Sequence, residues 1–412
     1  MSDTWWQTLE RADAATWRAD QDALVQRSMD LAASTPSMVE RLEQAGVEAS
    51  EIASVDDLNR LPVLSKDDLP AMQAAHPPLG GLSPVPANQL RRLFLSPGPI
   101  LDPEGEGPDY WRFAPALAAA GFSAEDIVYN TFSYHLSPAG AMMEEGLLAL
   151  GCTVVPGGVG NTELQVDMLS RSGATGYVGT PDFLHTLKDS AKAQGRTLHL
   201  RRAFVSGGPL PERLRTLLES HGDLKVFQGY GTADAGNLGY ECDARHGWHV
   251  APGAVVEVVD PATGQALGDG EVGEVVVTVP SPVYPLIRFG TGDLSALDLT
   301  PCACGRTTPR LRGWQGRVGD GVKVRGMFVH ARQLANVFAG LPEVTAYAAV
   351  VQHNDAGKDE LVVQITGDAD MDSEAIIDTL RATIKVRPTV QVVERESITK
   401  DTPPLVDERT WD

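Results

Sequence analysis

Gly176-Tyr-Val-Gly-Thr-Pro-Asp-Phe-Leu-His-Thr-Leu-Lys-Asp-Ser-Ala-Lys-Ala193 reads as a strand, Gly176 to Gly179, followed by a helix from Pro181 to Ala193. The same strand–helix unit recurs on both sides of it. Upstream lie a helix at Ala114 to Ala120, a strand at Ile127-Val-Tyr-Asn, a helix at Ala141 to Leu150, a strand at Cys152-Thr-Val-Val and a helix at Leu164 to Ser172. Downstream come a strand at Ala203-Phe-Val-Ser, a helix at Pro211 to Ser220 and a strand at Lys225-Val-Phe-Gln. Alternation of this kind predicts an α/β fold, with parallel sheets covered by helices.

Further out the texture changes. Trp5 to Gln73 carries helical periodicity, with Leu24, Met29, Leu31, Met38 and Leu42 on repeating faces and Ser65 as an N-cap ahead of Lys66 and Asp67. After Glu241, short β-rich pieces broken by Gly and Pro (Val255-Val-Glu-Val-Val, Gly273-Glu-Val-Val-Val-Thr and Gly313 to Val324) predict a small β-rich subdomain. His330 to Asp412 combines two helices with three strands and reads as a small α+β domain after a hinge near Gly316 to Gly321. The expected division is 1–316 and 317–412.

The chain has 412 residues, 42% of them hydrophobic, which is enough for two or three cores. A formal net charge of −21 argues against nucleic acid or an anionic membrane as a partner. An anionic substrate then needs local positive groups or a metal. No basic-then-apolar leader opens the sequence and no apolar run approaches a spanning helix. The sparse cysteines, Cys152, Cys242, Cys302 and Cys304, fit a reducing compartment, with the cytoplasm as the expectation. Cys302-x-Cys304 offers two thiolates from one turn, and Cys242 with His249 two more ligands, a set suited to structural zinc. His246 competes for the fourth place, and unrelated buried cysteines are the plain alternative.

A series of segments, in order, resembles the phenylacetate–CoA ligase branch of the acyl-adenylate-forming superfamily. It runs Leu61-Pro-Val-Leu-Ser-Lys-Asp-Asp-Leu, Asn130-Thr-Phe-Ser-Tyr-His, Pro156-Gly-Gly-Val-Gly, Gly179-Thr-Pro-Asp-Phe-Leu and Val205-Ser-Gly-Gly-Pro. It continues through Gln228-Gly-Tyr-Gly-Thr-Ala-Asp, Tyr284-Pro-Leu-Ile-Arg-Phe-Gly-Thr-Gly-Asp, Cys302-Ala-Cys-Gly-Arg and Gly316-Arg. The resemblance implies a large domain for ATP and a carboxylic acid, and a small C-terminal domain that moves between half-reactions. Those form an acyl-AMP with ATP and Mg²⁺, then a thioester with CoA. It also implies a homodimer and, in some relatives, zinc at the Cys/His positions.

By that resemblance Asp293 holds the ribose hydroxyls, as acidic residues do in other nucleotide folds, and Arg317 assists there or at the phosphate. Tyr230, beside Gly231, stacks on adenine against the bare backbone of Ser206, Gly207, Gly208 and Pro209. Thr232 bonds a phosphate and Asp234 helps hold Mg²⁺. Tyr134, His135, Gly140, Gly158 and Gly179 shape the acid pocket, although His135 reads equally as a satisfied core histidine. The same residues also admit plainer readings as turns and core.

Two departures stand out. The phosphate loop, Leu95-Ser-Pro-Gly-Pro-Ile-Leu-Asp, keeps Ser96 and Gly98, but Pro97 and Pro99 remove backbone donors and no cation is present. The lysine that normally meets the reacting carboxylate falls on Pro403, with Lys400 three residues earlier and Lys385 as another substitute. The usual hinge Asp falls on Gly319 or Asp320. The leading expectation is an aryl or arylacetic acid–CoA ligase. Behind it stand an adenylate-forming enzyme with an amine acceptor and a nucleotide-binding homologue without turnover.

Overall fold

The computed structural model describes residues 4–410 apart from 97, 221, 319–320, 326, 355–356, 368–370 and 400–401. It divides into two compact units, Met1–Gly316 and Arg317–Asp412.

The first unit opens with helices α1 (Trp5–Leu9), α2 (Ala14–Ala32) and α3 (Pro36–Ala45). Asp13 caps α2 by accepting from the Thr16 amide, and Trp17, Gln21, Val25, Ser28, Met29 and Ala32 form its buried stripe. Strand β1 (Leu64–Ser65) leads into a tight turn at Lys66–Asp68 and then helix α4 (Leu69–Ala75). Ser65 accepts from the Asp67 amide, so the expected cap is present but on a 3₁₀ turn. A hairpin of β2 (Arg92–Ser96) and β3 (Ile100–Glu104) follows.

The βα repeat is α5 (Ala114–Ala119), β4 (Ile127–Asn130), α6 (Ala139–Ala149), β5 (Thr153–Pro156), α7 (Thr162–Ser172), β6 (Gly176–Gly179), α8 (Pro181–Ala193), β7 (Arg202–Val205), α9 (Glu212–Glu219) and β8 (Lys225–Thr232). All these strands pair in parallel. Strand period places Val128, Val178, Phe204 and Phe227 on one face, packed with Leu117 of α5 and Leu147 of α6. Tyr129, Tyr177, Ala203, Val205 and Val226 point the other way, onto Leu169 of α7, Leu184 of α8 and Leu218 of α9. Both faces are covered, so these strands are apolar throughout rather than alternating.

The β-rich part comprises β9 (Gly236–Tyr240), β10 (Trp248–Val250), β11 (Val255–Val259), β12 (Val272–Val279), β13 (Leu286–Asp298) and β14 (Arg310–Leu311). It is bonded to the α/β part through the antiparallel β8–β9 pair, in a 12-stranded sheet whose main path is ordered β11-β12-β13-β14-β10-β9-β8-β7-β6-β4-β5. Strand β1 adds to β13 in parallel.

The second unit begins with the hairpin β15 (Gly321–Val324) and β16 (Met327–His330), followed by helix α10 (Ala331–Ala339). Strands β17 (Val344–His353) and β18 (Asp359–Gly367), helix α11 (Ser373–Ile384), and strands β19 (Thr389–Val392) and β20 (Leu405–Asp407) complete it. Its four-stranded sheet is ordered β19-β18-β17-β20. Strand β20 had no sequence signal. Three residues carry too little pattern, and it forms by lying parallel to β17.

Candidate active site

Parallel strands deliver their C-terminal ends to one edge, where α/β sheets bind ligands. Here that edge carries the segments after β4, β6, β7 and β8. The Thr131 amide donates to Val178 O at 2.9 Å, and the Ser206 amide to Gly179 O at 3.1 Å, so these loops leave the sheet side by side. Gly207 sits at φ +72, with only Phe132 and Thr180 within ordinary contact of a would-be Cβ, which leaves open backbone beside Ser206, Gly208 and Pro209.

Tyr230 and Asp293, 63 positions apart, meet directly, with the hydroxyl 3.0 Å from Asp293 Oδ2 and 3.1 Å from Thr291 Oγ1. Trp314 Nε1 donates to Asp293 Oδ1 at 3.2 Å, a partner the sequence did not single out. One face of the Tyr230 ring is already taken by Trp248, stacked at 5.3 Å and 9°. Any base would have to use the other face or the edge. Thr232 Oγ1 accepts from the Ala235 amide at 3.1 Å.

Asp234 has a partner from far away in sequence. Lys66 Nζ lies 2.5 Å from its Oδ2, with the Asp234 side chain 0% exposed. Lys66 arrives on the turn after β1, a juxtaposition across 168 positions that no local pattern announces. Beside them sits Asp102 of β3, also 0% exposed. Burial first, and then the Asp234 charge, holds the Asp102 carboxyl well above the usual carboxylate range.

Arg288, in the same motif as Asp293, does not face this edge as a ligand group. It is 1% exposed, donates to Leu61 O and Gly264 O at 2.6 Å each, and lies 3.3 Å from Glu257. It ties the N-terminal segment to the β-rich part.

Of the residues expected for the acid, Tyr134 accepts from Asn130 Nδ2 at 2.8 Å and donates to Glu144 at 2.7 Å. Burial and the Glu144 charge raise its phenol well above the usual value. A Cβ on Gly140 would press on Ser133 O at 2.7 Å and on the Tyr134 ring at 2.9 Å, so that glycine permits the close approach. A Cβ on Gly179 would collide with the Thr131 hydroxyl and the Tyr177 ring, a packing reason for glycine at the strand end. Gly158 has φ +65 with open space around it. His135 is exposed, which removes the core-histidine reading.

In the phosphate-loop hairpin, Ser96 Oγ donates to Ile100 O at 3.3 Å, and Pro97 lies outside the described residues. Lys400, Gly319 and Asp320 also lie outside them. Pro403 is exposed before β20, and Lys385 Nζ donates to Ala382 O at its own helix end. Arg317 opens the second unit.

Cys242, His249, Cys302 and Cys304 converge, their ligand atoms all within 4.8 Å of one another. Tetrahedral zinc with Zn–S bonds of about 2.3 Å would set two sulfurs about 3.8 Å apart. Cys242 and Cys302 Sγ stand 3.6 Å apart, and Cys304 Sγ lies 3.4 Å from His249 Nε2. The other ring nitrogen of His249 lies 3.0 Å from Thr308 Oγ1 and 3.2 Å from Thr308 O, which orients Nε2 towards the sulfurs. Burial pushes the Cys242 thiol up to about 12 and the His249 imidazolium down to about 4. His246, the rival ligand, is exposed.

A family model described as AMP-binding enzyme matches residues 111–283. The phenylacetate–coenzyme A ligase of Thermus thermophilus is 32% identical over 339 residues, covering 79% of this chain and 75% of that protein. That of Pseudomonas putida is 27% identical over 349 residues, covering 80% and 77%. In fold, a crystal structure of 2-hydroxyisobutyryl-CoA ligase in complex with 2-HIB-AMP and CoA superposes with a TM-score of 0.88 at 24% identity, covering 99% of this chain and 94% of that one.

Proposed function

The chain belongs to the phenylacetate–coenzyme A ligase family of AMP-binding enzymes, AMP-forming ligases that join an acid to CoA through an acyl-AMP, and on that premise we propose that its own acid is an aryl or arylacetic acid. The observation that supports the site assignment most directly is the meeting of Tyr230 and Asp293 at the sheet edge.

In this reading Asp293, held by Tyr230 and Trp314, receives the ribose hydroxyls, and the open backbone of Ser206 to Pro209 lies along the adenine with Tyr230 and Gly231. Thr232 bonds a phosphate. A divalent cation such as Mg²⁺, when bound, neutralises phosphate charge, and Asp234 is the residue that would hold it, since hard cations take carboxylate oxygens. The acid occupies the region of Tyr134, His135, Gly140, Gly158 and Gly179, with its carboxylate towards the nucleotide. Arg317 assists at the ribose or the phosphate, and Lys400 supplies positive charge where it develops in adenylation. The Cys₃His set fits structural zinc by donor type and spacing, with every position filled by protein. A homodimer and a cytoplasmic location complete the proposal; sparse thiols suit a reducing compartment. Among the described residues no helix is long and apolar enough to cross a membrane.

The test supplies ATP, Mg²⁺, CoA and a panel of aromatic acids and measures AMP. An aromatic acid should give the fastest release together with a thioester product. AMP release confined to aliphatic acids, or none at all, would remove the proposal. A non-thioester product formed without CoA would favour an amine or another small acceptor.

A further inference from the structure

Among the described residues at the sheet edge, Asp102 is a fully buried carboxyl. It is 0% exposed, and among the described residues no donor meets its carboxylate oxygens at full hydrogen-bond geometry, although the Ser96 hydroxyl is near enough to oppose the rise in its pKa. Its carboxyl lies against that of Asp234, close enough for the two side chains to act on each other. Asp234 Oδ1 is likewise buried and without a partner, while its Oδ2 takes the Lys66 ammonium. The buried Tyr284 hydroxyl, with Gln73 near it, feels both carboxylates. A buried polar atom left unpaired costs roughly 1–3 kcal/mol, and more when charged, so such a group calls for an ion, a water or a functional reason.

Charge narrows the choice. Asp102 stands in β3 just past the phosphate-loop turn, in a loop that brings no cation of its own. Burial and the Asp234 charge favour the neutral form of Asp102, so in the empty cluster the Lys66 ammonium only balances Asp234 and no positive charge is left for a triphosphate. A divalent cation held between the two carboxyls displaces the Asp102 proton, supplies the missing positive charge and takes carboxylate oxygens as ligands.

We propose that Asp102 and Asp234 form a two-carboxylate site for a divalent oxygen-seeking cation, with the Lys66 ammonium as the tethered counter-charge that yields Asp234 Oδ2 when the metal enters. The site rests on the assignment of Asp234 to the nucleotide's metal and extends it. Asp102 is a second ligand, and the site takes metal before nucleotide arrives. It stands in for the loop's missing cation, so metal in place of side-chain charge draws in the triphosphate.

The experiment uses the full-length protein with its cysteine site filled by zinc and no nucleotide, titrated with Mn²⁺ alone and followed by electron paramagnetic resonance. Wild type should bind Mn²⁺, and Asp102→Asn should weaken binding by about tenfold or more. Lys66→Gln should strengthen it, because the competing ammonium is gone. In metal-free buffer Asp102→Asn should melt no lower than wild type, since a neutral amide replaces an unpaired carboxyl, and Mn²⁺ should raise only the wild-type melting temperature. Asp102→Ser serves as a second variant should the asparagine fail to fold. Equal Mn²⁺ affinity in wild type and Asp102→Asn, or wild-type binding that needs ATP, overturns the proposal. In either case Mn²⁺–ATP-dependent AMP formation that is lost in Asp234→Asn but kept in Asp102→Asn would leave the assignment of Asp234 standing.

Discussion

The Tyr230 hydroxyl and the Trp314 indole, both neutral groups, donate to Asp293 in the folded chain. Those donors orient the carboxylate. Asp293→Asn keeps the shape and halves the accepting capacity. A bond to a charged group is worth about 2 kcal/mol, so KM for ATP should rise roughly 30-fold with the melting temperature little changed. Pyrophosphate exchange against ATP concentration checks it. Glu257 behaves differently. Burial pushes its carboxyl up to about 7 although Arg288 opposes the shift, and its Oε2 has no partner. A raised carboxyl pKa means the folded protein binds the extra proton. This contribution is therefore fully present below about 4.5, the unfolded value, and is lost as pH rises through about 7. Wild type should lose on the order of 2 kcal/mol between pH 5 and 8 that Glu257→Gln does not lose. Parallel urea melts of the two proteins at both pH values measure the difference.

The loop carrying Cys302 and Cys304 does more than present thiols. Arg306 donates to Glu10 at 2.8 Å, Tyr240 also donates to Glu10, and the Thr307 amide donates to Glu10 O at 2.8 Å. The N-terminal helix is thus fastened to the cysteine loop. Stripping zinc with a chelator, or replacing Cys242 by Ser, should lower the melting temperature by about 5 °C or more. The same treatment should expose the first dozen residues to protease before the sheet unfolds. Limited proteolysis with mass spectrometry reads the order of cleavage. At Gly179 the strand end admits no side chain, and Gly179→Ala should cost about 1–3 kcal/mol by overpacking against Thr131 and Tyr177. A urea melt tests it.

For the whole molecule, Tyr230, Asp234 and Asp293, the residues proposed for the nucleotide, fall in the first unit, and Arg317 and Lys400 in the second. Lys400→Ala should slow AMP formation from acid and ATP while leaving ATP binding by calorimetry within a few tenths of a kcal/mol. An unchanged rate would reassign the adenylation charge to another residue. The positive groups assigned to adenylation come from the second unit, while the first unit's phosphate loop has none. The two units expressed apart should therefore retain ATP binding in the first alone, with no acyl-AMP.

The repeating strand–helix units were legible because helix and strand periods are local. The glycines, prolines and caps between them need no distant partner. The order of motifs likewise placed Tyr230, Asp234 and Asp293 in one family pattern. Cys-x-Cys with a Cys and a His upstream carried enough spacing information to pick out four side chains that the fold brings together. Which of His246 and His249 completes that set depended on β10, which buries His249 and leaves His246 outside. Lys66 beside Asp234, Asp102 buried against Asp234, Trp314 on Asp293 and Glu10 under the cysteine loop could only be decided by tertiary structure. Each joins segments that share no period or motif, and their contact follows from sheet order and hairpin placement alone.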